Sequence, residues 1–307
     1  MALFFECMPS CARKVLDTAD IVRDGDVSPA RRLRYTLETP QSQVLREGRV
    51  LGAIAGDIIG SVHEFLGGKT KEFPLFVEGS RFTDDTVLSV AVADCLLTGV
   101  PYADTFRAYA QKYPNRCYGM SFWRWVESGS REPYNSWGNG SAMRVGAIAF
   151  AFETLEEVLV AAKASAEVTH NHPEGIRGAQ ATAAASFLAR LHATKEQIRD
   201  EIETRFGYSL FRTIDMIRPK YAFNESCQQT VPEAITAVLD STGYEDAIRL
   251  AISLGGDADT LACIAGGIAG AMYGVPNGIA TRALAMLDDE LRKTVTRFCQ
   301  TYAIALP

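Results

Sequence analysis

Two acidic clusters set the terms on which this chain can fold. Thr83-Asp84-Asp85-Thr86 opens the apolar segment Val87–Leu97, and far downstream Gly255-Gly256-Asp257-Ala258-Asp259-Thr260 runs into a second apolar segment. Asp and Thr are ordinary helix caps, and acids suit the positive end of a helix dipole, so either cluster alone reads as a cap. A cap needs only one side chain, however, and adjacent carboxylates repel unless a cation or a proton lies between them. Four carboxylates and at least two threonine hydroxyls at the mouths of two buried helices are hard oxygen ligands, the kind Mg2+, Mn2+ or Ca2+ prefers. Together the clusters predict a metal site.

Helical periodicity dominates the rest of the chain, and no alternating segment is long enough to demand a strand. The short β-like candidates are Phe73–Val77 and Tyr208–Phe211. Helices are predicted over Asp84–Leu97, Tyr102–Lys112, Val145–Phe152, Leu155–Val168, Gly178–Leu191 and Lys195–Phe206. Further on, they are predicted over Thr230–Ser241 (with Pro232 in its first turn), Tyr244–Ser253, Ala262–Tyr273 and Ala280–Tyr302. The expected fold is all-α: a single compact, orthogonal multi-helix domain over residues 49–307. Residues 1–48 are polar and turn-rich, and read as an N-terminal extension.

From Val50 the residues become small and apolar. Gly52, Gly56 and Gly60 recur every fourth residue, which on a helix makes one smooth face for close packing. Glu64 follows Asp57 by two helical turns, so both are expected on one face. The glycines of Gly67-Gly68-Lys69-Thr70-Lys71 suggest a mobile loop, which would put Glu64 where a helix gives way to a lid; on spacing alone Glu64 reads as an ordinary exposed acid. Tyr134-Asn135-Ser136-Trp137-Gly138-Asn139-Gly140 is expected to lead, through Met143-Arg144, into a helix, which would offer N–H groups to an anion such as phosphate. Tyr134 and Trp137 are suited to stacking on a flat base; a turn with buried aromatics explains the same residues. His170 and His172 do not share a helix face, which argues against a helical zinc pair, and His170 is expected to donate to a ligand or orient a loop.

A net charge of -6 argues against a general nucleic-acid or membrane-surface binder. Seven cysteines without paired zinc spacing point to reduced thiols and a cytoplasmic protein. The start of the chain lacks a basic leader, and no apolar run reaches membrane-spanning length.

The motifs fall in one order: Gly56-Asp57 with Gly60 and Glu64; Thr83-Asp84-Asp85-Thr86; Ser136 to Gly140 with Met143-Arg144; Thr169-His170; Gly256-Asp257-Ala258-Asp259-Thr260. In this order the chain resembles the ADP-ribosylglycohydrolase family over about Val50 to Leu306. The resemblance implies an all-helical fold with two Mg2+ or Mn2+ in a cleft, held by Thr83, Asp84, Asp85, Asp257, Asp259 and Thr260. It implies that Glu64 lies on a mobile loop, that Ser136, Trp137, Gly138, Asn139, Gly140 and Met143 line the diphosphate site, and that His170 lies near the ligand. Trp137 stands where the family often has tyrosine, which keeps an aromatic face and loses a hydroxyl. The implied reaction releases ADP-ribose from an ADP-ribosylated protein side chain, such as arginine or serine, or from a small conjugate. One of Asp84, Asp85 or Asp257 would position water, and Glu64 would gate the site or assist proton transfer. Two rivals stay open: a catalytically silent, crystallin-like binding protein, and a metal-dependent phosphohydrolase.

Overall fold

The glycine-spaced segment forms the first helix, α1 (Leu51–Gly60), buried along its whole length. A Cβ on Gly56 would lie 2.0 Å from the carbonyl oxygen of Ala262, and one on Gly52 would lie 2.2 Å from that of Gly266. Only hydrogen at these positions lets the backbones meet, and the helix they meet is α12 (Ala258–Tyr273), from near the other end of the chain. Gly266 returns the contact, since its own Cβ would sit 2.3 Å from the Gly52 carbonyl oxygen. Tyr244 Oη closes the seam by donating to that same oxygen at 2.7 Å.

In this computed structural model, which describes residues 49–64 and 68–307, the other helices form one all-α domain around that pair. They are α2 (Asp84–Thr98), α3 (Tyr102–Lys112), α4 (Met120–Ser128), α5 (Ile148–Ala151), α6 (Leu155–Glu167), α7 (Pro173–Arg190) and α8 (Lys195–Phe206). After them come α9 (Ile214–Ile217), α10 (Cys227–Asp240), α11 (Tyr244–Ile252), α13 (Asn277–Ala285) and α14 (Asp289–Thr301). Local chemistry starts several of them. Thr154 and Thr194 build reciprocal capping boxes with Glu157 and Gln197 at the mouths of α6 and α8. The alanine-rich α7 packs against α6, α10 and α12.

Several boundaries differ from the sequence expectation. Helix α1 stops at Gly60, and Glu64 lies in the following turn, so Asp57 and Glu64 do not share a helix face. Ser61 marks the break: its hydroxyl donates to Ile58 O and accepts from Arg81 N. The expected Val145–Phe152 helix shrinks to α5, and α7 begins earlier than Gly178, at Pro173, where His172 Nδ1 accepts from Glu174 N at 3.1 Å. Helix α10 begins at Cys227, which leaves Pro232 inside it instead of in its first turn. The C-terminal stretch is two helices, because Asp288 caps α14 through the N–H groups of Glu290 and Leu291. No strand occurs among the described residues; Phe73–Val77 and Tyr208–Phe211 are irregular, and one bridge joins Gly138 to Ser226. The expected extension and the Gly67 end of the expected loop lie outside the described residues. Among these residues, no helix is long and apolar enough to cross a membrane, and no cysteine is in a disulfide.

Candidate active site

The close seam between α1 and α12 sets one acid from each helix beside the mouth of α2. Asp57, interrupting the apolar face of α1, is buried, and accepts from four donors at the start of α2, three of them on Oδ2. Its Oδ1 accepts from Thr83 Oγ1 at 2.7 Å. Its Oδ2 accepts from Thr83 N at 3.0 Å, Thr86 N at 3.1 Å and Thr86 Oγ1 at 2.5 Å. Asp57 thereby fastens α2 in place, a role that the sequence reading did not assign. Its position in the Gly56-Asp57 motif was the signal.

Asp57 and four other acids draw into two overlapping sets. Carboxylate oxygens of Asp57, Asp85 and Asp259 lie within 4.8 Å of one another, and so do those of Glu64, Asp257 and Asp259. Asp259, at the start of α12, belongs to both. Asp84 lines the same cavity with Asp85, Asp257, Asp259 and Thr260, while Thr83 lies beneath it, next to Asp57. The structure brings together all six residues expected to bind metal, and Glu64 joins them from its turn.

Burial, and then the charges of Asp57 and Asp257, hold the Asp84 carboxyl well above the usual range. Burial with the Asp57 and Asp84 charges does the same to Asp85, and burial with Asp85 and Asp257 does so to Asp259. Burial also raises Asp57 and Asp257. Glu64 is pushed up to about 7 by burial, then by the charges of Asp257 and Glu225.

These groups fit a divalent cation. Asp85 Oδ1 is buried with no hydrogen-bond partner. The Thr83 hydroxyl has a single proton but lies 2.7 Å from Asp57 Oδ1 and 3.2 Å from Asp85 Oδ2. Its proton goes to the shorter contact, which leaves two oxygen lone pairs facing each other at Asp85. Hard oxygen donors, an unsatisfied buried carboxylate oxygen and excess negative charge are what Mg2+ or Mn2+ coordination resolves.

The cavity has a volume of about 290 Å3, with the acids at one side and Ser136, Gly138, Asn139, Gly140, Met143 and His170 lining the rest with Tyr134 and Phe122. The glycine loop does not open a helix as expected; Asn139–Ser141 is a single 3-10 turn. Two of its N–H groups are already used, Gly138 N on Ser136 Oγ and Asn139 N on the Glu225 carbonyl. The Asn139 side chain donates to Asp257 Oδ2 at 2.6 Å and to Thr230 Oγ1 at 3.1 Å, so it orients an acid. Trp137 is exposed and lines a neighbouring groove instead, its ring 5.7 Å from that of His172. That groove shares Ser121, Tyr134, Ser136, Gly138 and Glu225 with the cavity, so the two spaces adjoin. Glu225 lines both; no motif in the sequence marks it.

The sequence profile of the ADP-ribosylglycohydrolase family matches residues 44–305. The chain belongs to the ADP-ribosylglycohydrolase family. Among its relatives, ADP-ribosylhydrolase ARH3 of Xenopus tropicalis is 27% identical over 303 residues, covering 74% of this chain and 86% of that protein. ADP-ribosylarginine hydrolase Tri1 of Pseudomonas putida is 29% identical over 297 residues, covering 82% and 78%. A solved structure described as an ADP-ribosylglycohydrolase-related protein complex superposes with a TM-score of 0.65 at 25% identity, over 86% of this chain and all of that one. Membership makes this chain a glycohydrolase-type enzyme, and the all-helical fold expected from periodicity is the family's fold.

Proposed function

We propose that the chain hydrolyses the bond between C1 of the distal ribose of an ADP-ribosyl group and its acceptor, releasing ADP-ribose, and that it does so with two divalent cations, Mg2+ or Mn2+. The observation that carries this reading is the pair of acid triads sharing Asp259, in a cavity that adjoins an aromatic-edged groove. Thr83, Asp84, Asp85, Asp257, Asp259 and Thr260 would hold the ions. Such ions supply charge that neutralises developing anions and acidifies water.

The chain's own residues account for the rest. The carboxylates beside the sugar stabilise the positive character that develops at an anomeric carbon on cleavage. One of Asp84, Asp85 and Asp257 orients the attacking water, and Asn139 holds Asp257 in position. Glu64, in the turn beside Asp257 and Asp259, is the carboxyl placed to gate the site or assist proton transfer. The diphosphate lies along Ser136 to Gly140, where Gly138 and Gly140 leave room for close approach. Trp137 and Tyr134 bound the groove on the side where a flat base would lie. The substrate is an ADP-ribosylated protein side chain, arginine or serine, or a small ADP-ribosyl conjugate.

The test is ADP-ribose release from a panel of arginine-, serine-, guanidine- and acetyl-linked conjugates, with Mg2+, with Mn2+ and with EDTA. Release from at least one conjugate, abolished by EDTA, is expected. Tight ADP-ribose binding with no release from any would make the chain a silent binder, and inorganic phosphate as the product would make it a phosphohydrolase.

A further inference from the structure

Glu64 is held less directly than the other acids of the site. Asp57, Asp84, Asp85 and Asp259 stand on helices and Asp257 caps one, but Glu64 lies in the turn after α1. Its carboxylate reaches the oxygens of Asp257 and Asp259, and the Asp257 charge works against its own. Like charges part unless the backbone holds them together.

The chain that returns from this turn is fastened to α11. Arg249, near the end of that helix, donates from Nη1 to the carbonyl oxygens of Lys71 and Phe73, both at 2.8 Å. Glu245, one turn earlier, aims the fork by accepting from Nε at 2.9 Å and from Nη2 at 2.8 Å. The guanidinium also lies 5.0 Å from the centre of the Phe73 ring. That ring packs in turn on His63, 4.5 Å between centroids, and His63 directly precedes Glu64. Two lysines add to the grip. Lys71 Nζ pairs with Asp246 of α11 at 3.0 Å. Lys69 Nζ donates to the carbonyls of Arg218 and Tyr221 at 2.6 and 2.5 Å, and its stem would lie 3.8 Å from a Cβ on Gly255. Exposed ion pairs are worth little. The Lys71 side chain is 42% exposed and that of Arg249 22%, so the guanidinium fork is the stronger hold. Helix α11 ends at Ile252 and leads directly into Gly255-Gly256-Asp257.

We propose that Arg249 is a positioning residue for Glu64: gripping Lys71 and Phe73 from α11, and through the Phe73 ring His63, it sets the Glu64 carboxylate against Asp257 and Asp259. One side chain thereby ties the turn that bears Glu64 to the helix that delivers Asp257, across 178 positions. The consequence for turnover rests on the role given to Glu64 above; the grip does not.

Arg249→Lys keeps the charge, but a single ammonium cannot serve two carbonyls and the Glu245 carboxylate in the geometry of the fork. ADP-ribose release is measured for the wild type, Arg249→Lys, Glu64→Gln and the double variant, on the conjugate that the wild type cleaves best. Arg249→Lys is expected to lower kcat about ten-fold with little change in KM, and to have no further effect in Glu64→Gln, where the group it positions is gone. A merely structural loss would lower both backgrounds equally, and that result overturns the proposal. Hydrogen exchange of the metal-free proteins gives a second readout that needs no activity. Peptides carrying His63–Glu64 and Lys71–Phe73 are expected to exchange faster in Arg249→Lys, with α1 and α2 unchanged. Wild-type exchange in that variant also overturns the proposal, and exchange decides alone where Glu64→Gln is too slow to follow. Should Arg249→Lys fail to fold, Phe73→Leu, which keeps the carbonyl but removes the ring on His63, is expected to give the same results and decides in its place. A wild type that releases no ADP-ribose from any conjugate would refute the hydrolase reading, while exchange still decides the grip.

Discussion

Asp85 shows how one residue can burden a fold and serve a site at once. Its Oδ1 is buried without a partner, an arrangement that costs about 1–3 kcal/mol when nothing else satisfies the atom, and the charges of Asp57 and Asp84 add to the cost. Asp85→Asn removes the carboxyl on which those charges act. The metal-free variant is therefore expected to melt no lower than the wild type, to lose the melting-temperature gain on adding Mg2+, and to lose more than about 100-fold in turnover, beyond what supporting residues around a metal cost. Thermal melts with and without EDTA, alongside ADP-ribose release, check this; a variant with normal turnover and a normal Mg2+ response would remove Asp85 from the site. Glu64 makes a pH-dependent case. Its folded value of about 7 lies above the ordinary 4.5. What its protonated form contributes to stability is complete below about 4.5 and is lost as pH rises through about 7. In EDTA, the wild type should lose melting temperature across that window more steeply than Glu64→Gln, which has no proton to release. Parallel slopes would mean that Glu64 is not the titrating group.

At the scale of elements, the site depends on how closely α1 approaches α12. Gly56→Ala would drive a methyl against the Ala262 carbonyl, so the helices must separate. Overpacking of this kind costs about 1–3 kcal/mol, and more where backbone is the obstacle. Separation also pulls Asp57, and with it the start of α2, away from Asp259. Gly56→Ala should therefore lower both the melting temperature and the Mg2+-induced gain, whereas an equally destabilising change far from the seam should lower only the first. The four-residue glycine spacing was legible in the sequence because it is a local period. The end of α1 was not: Ser61 stops the helix partly through Arg81, twenty residues on, so the spacing of Asp57 and Glu64 suggested a shared face that does not exist. Helix α4 was not among the expected helices: framed by Gly119 and Gly129, its nine residues are too few to display a helical period, although Phe122 and Trp125 bury its inner face. Both acidic clusters announced themselves by doubled carboxylates. The parts played by Asp57, Asn139 and Glu225 are set by partners remote in sequence; motifs mark the first two positions without showing what they bond to, and nothing local marks Glu225.

For the molecule as a whole, the acids of the site join distant parts of the chain. Thr260 Oγ1 donates to Asp85 Oδ2 across 175 positions, and Glu64 meets Asp257 and Asp259 over a similar span. An ion held by both sets would act as a cross-link closing a long loop, and its ligands are assembled only in the folded chain. Its binding energy is then folding energy. At a free Mg2+ concentration of about 100 times Kd, the linkage is worth about 2.7 kcal/mol. For a domain of this size that corresponds to a melting-temperature rise of about 5–10 °C. The gain should appear in one cooperative transition, because α1, α2 and α12, which carry most of the acids, share one core. EDTA should reverse it fully, and Asp257→Asn should abolish it without changing the helical circular dichroism. A melting temperature indifferent to Mg2+, Mn2+ and EDTA alike would mean that the clustered acids share protons instead of cations. The fold would then stand as described, and the two-cation mechanism would fall.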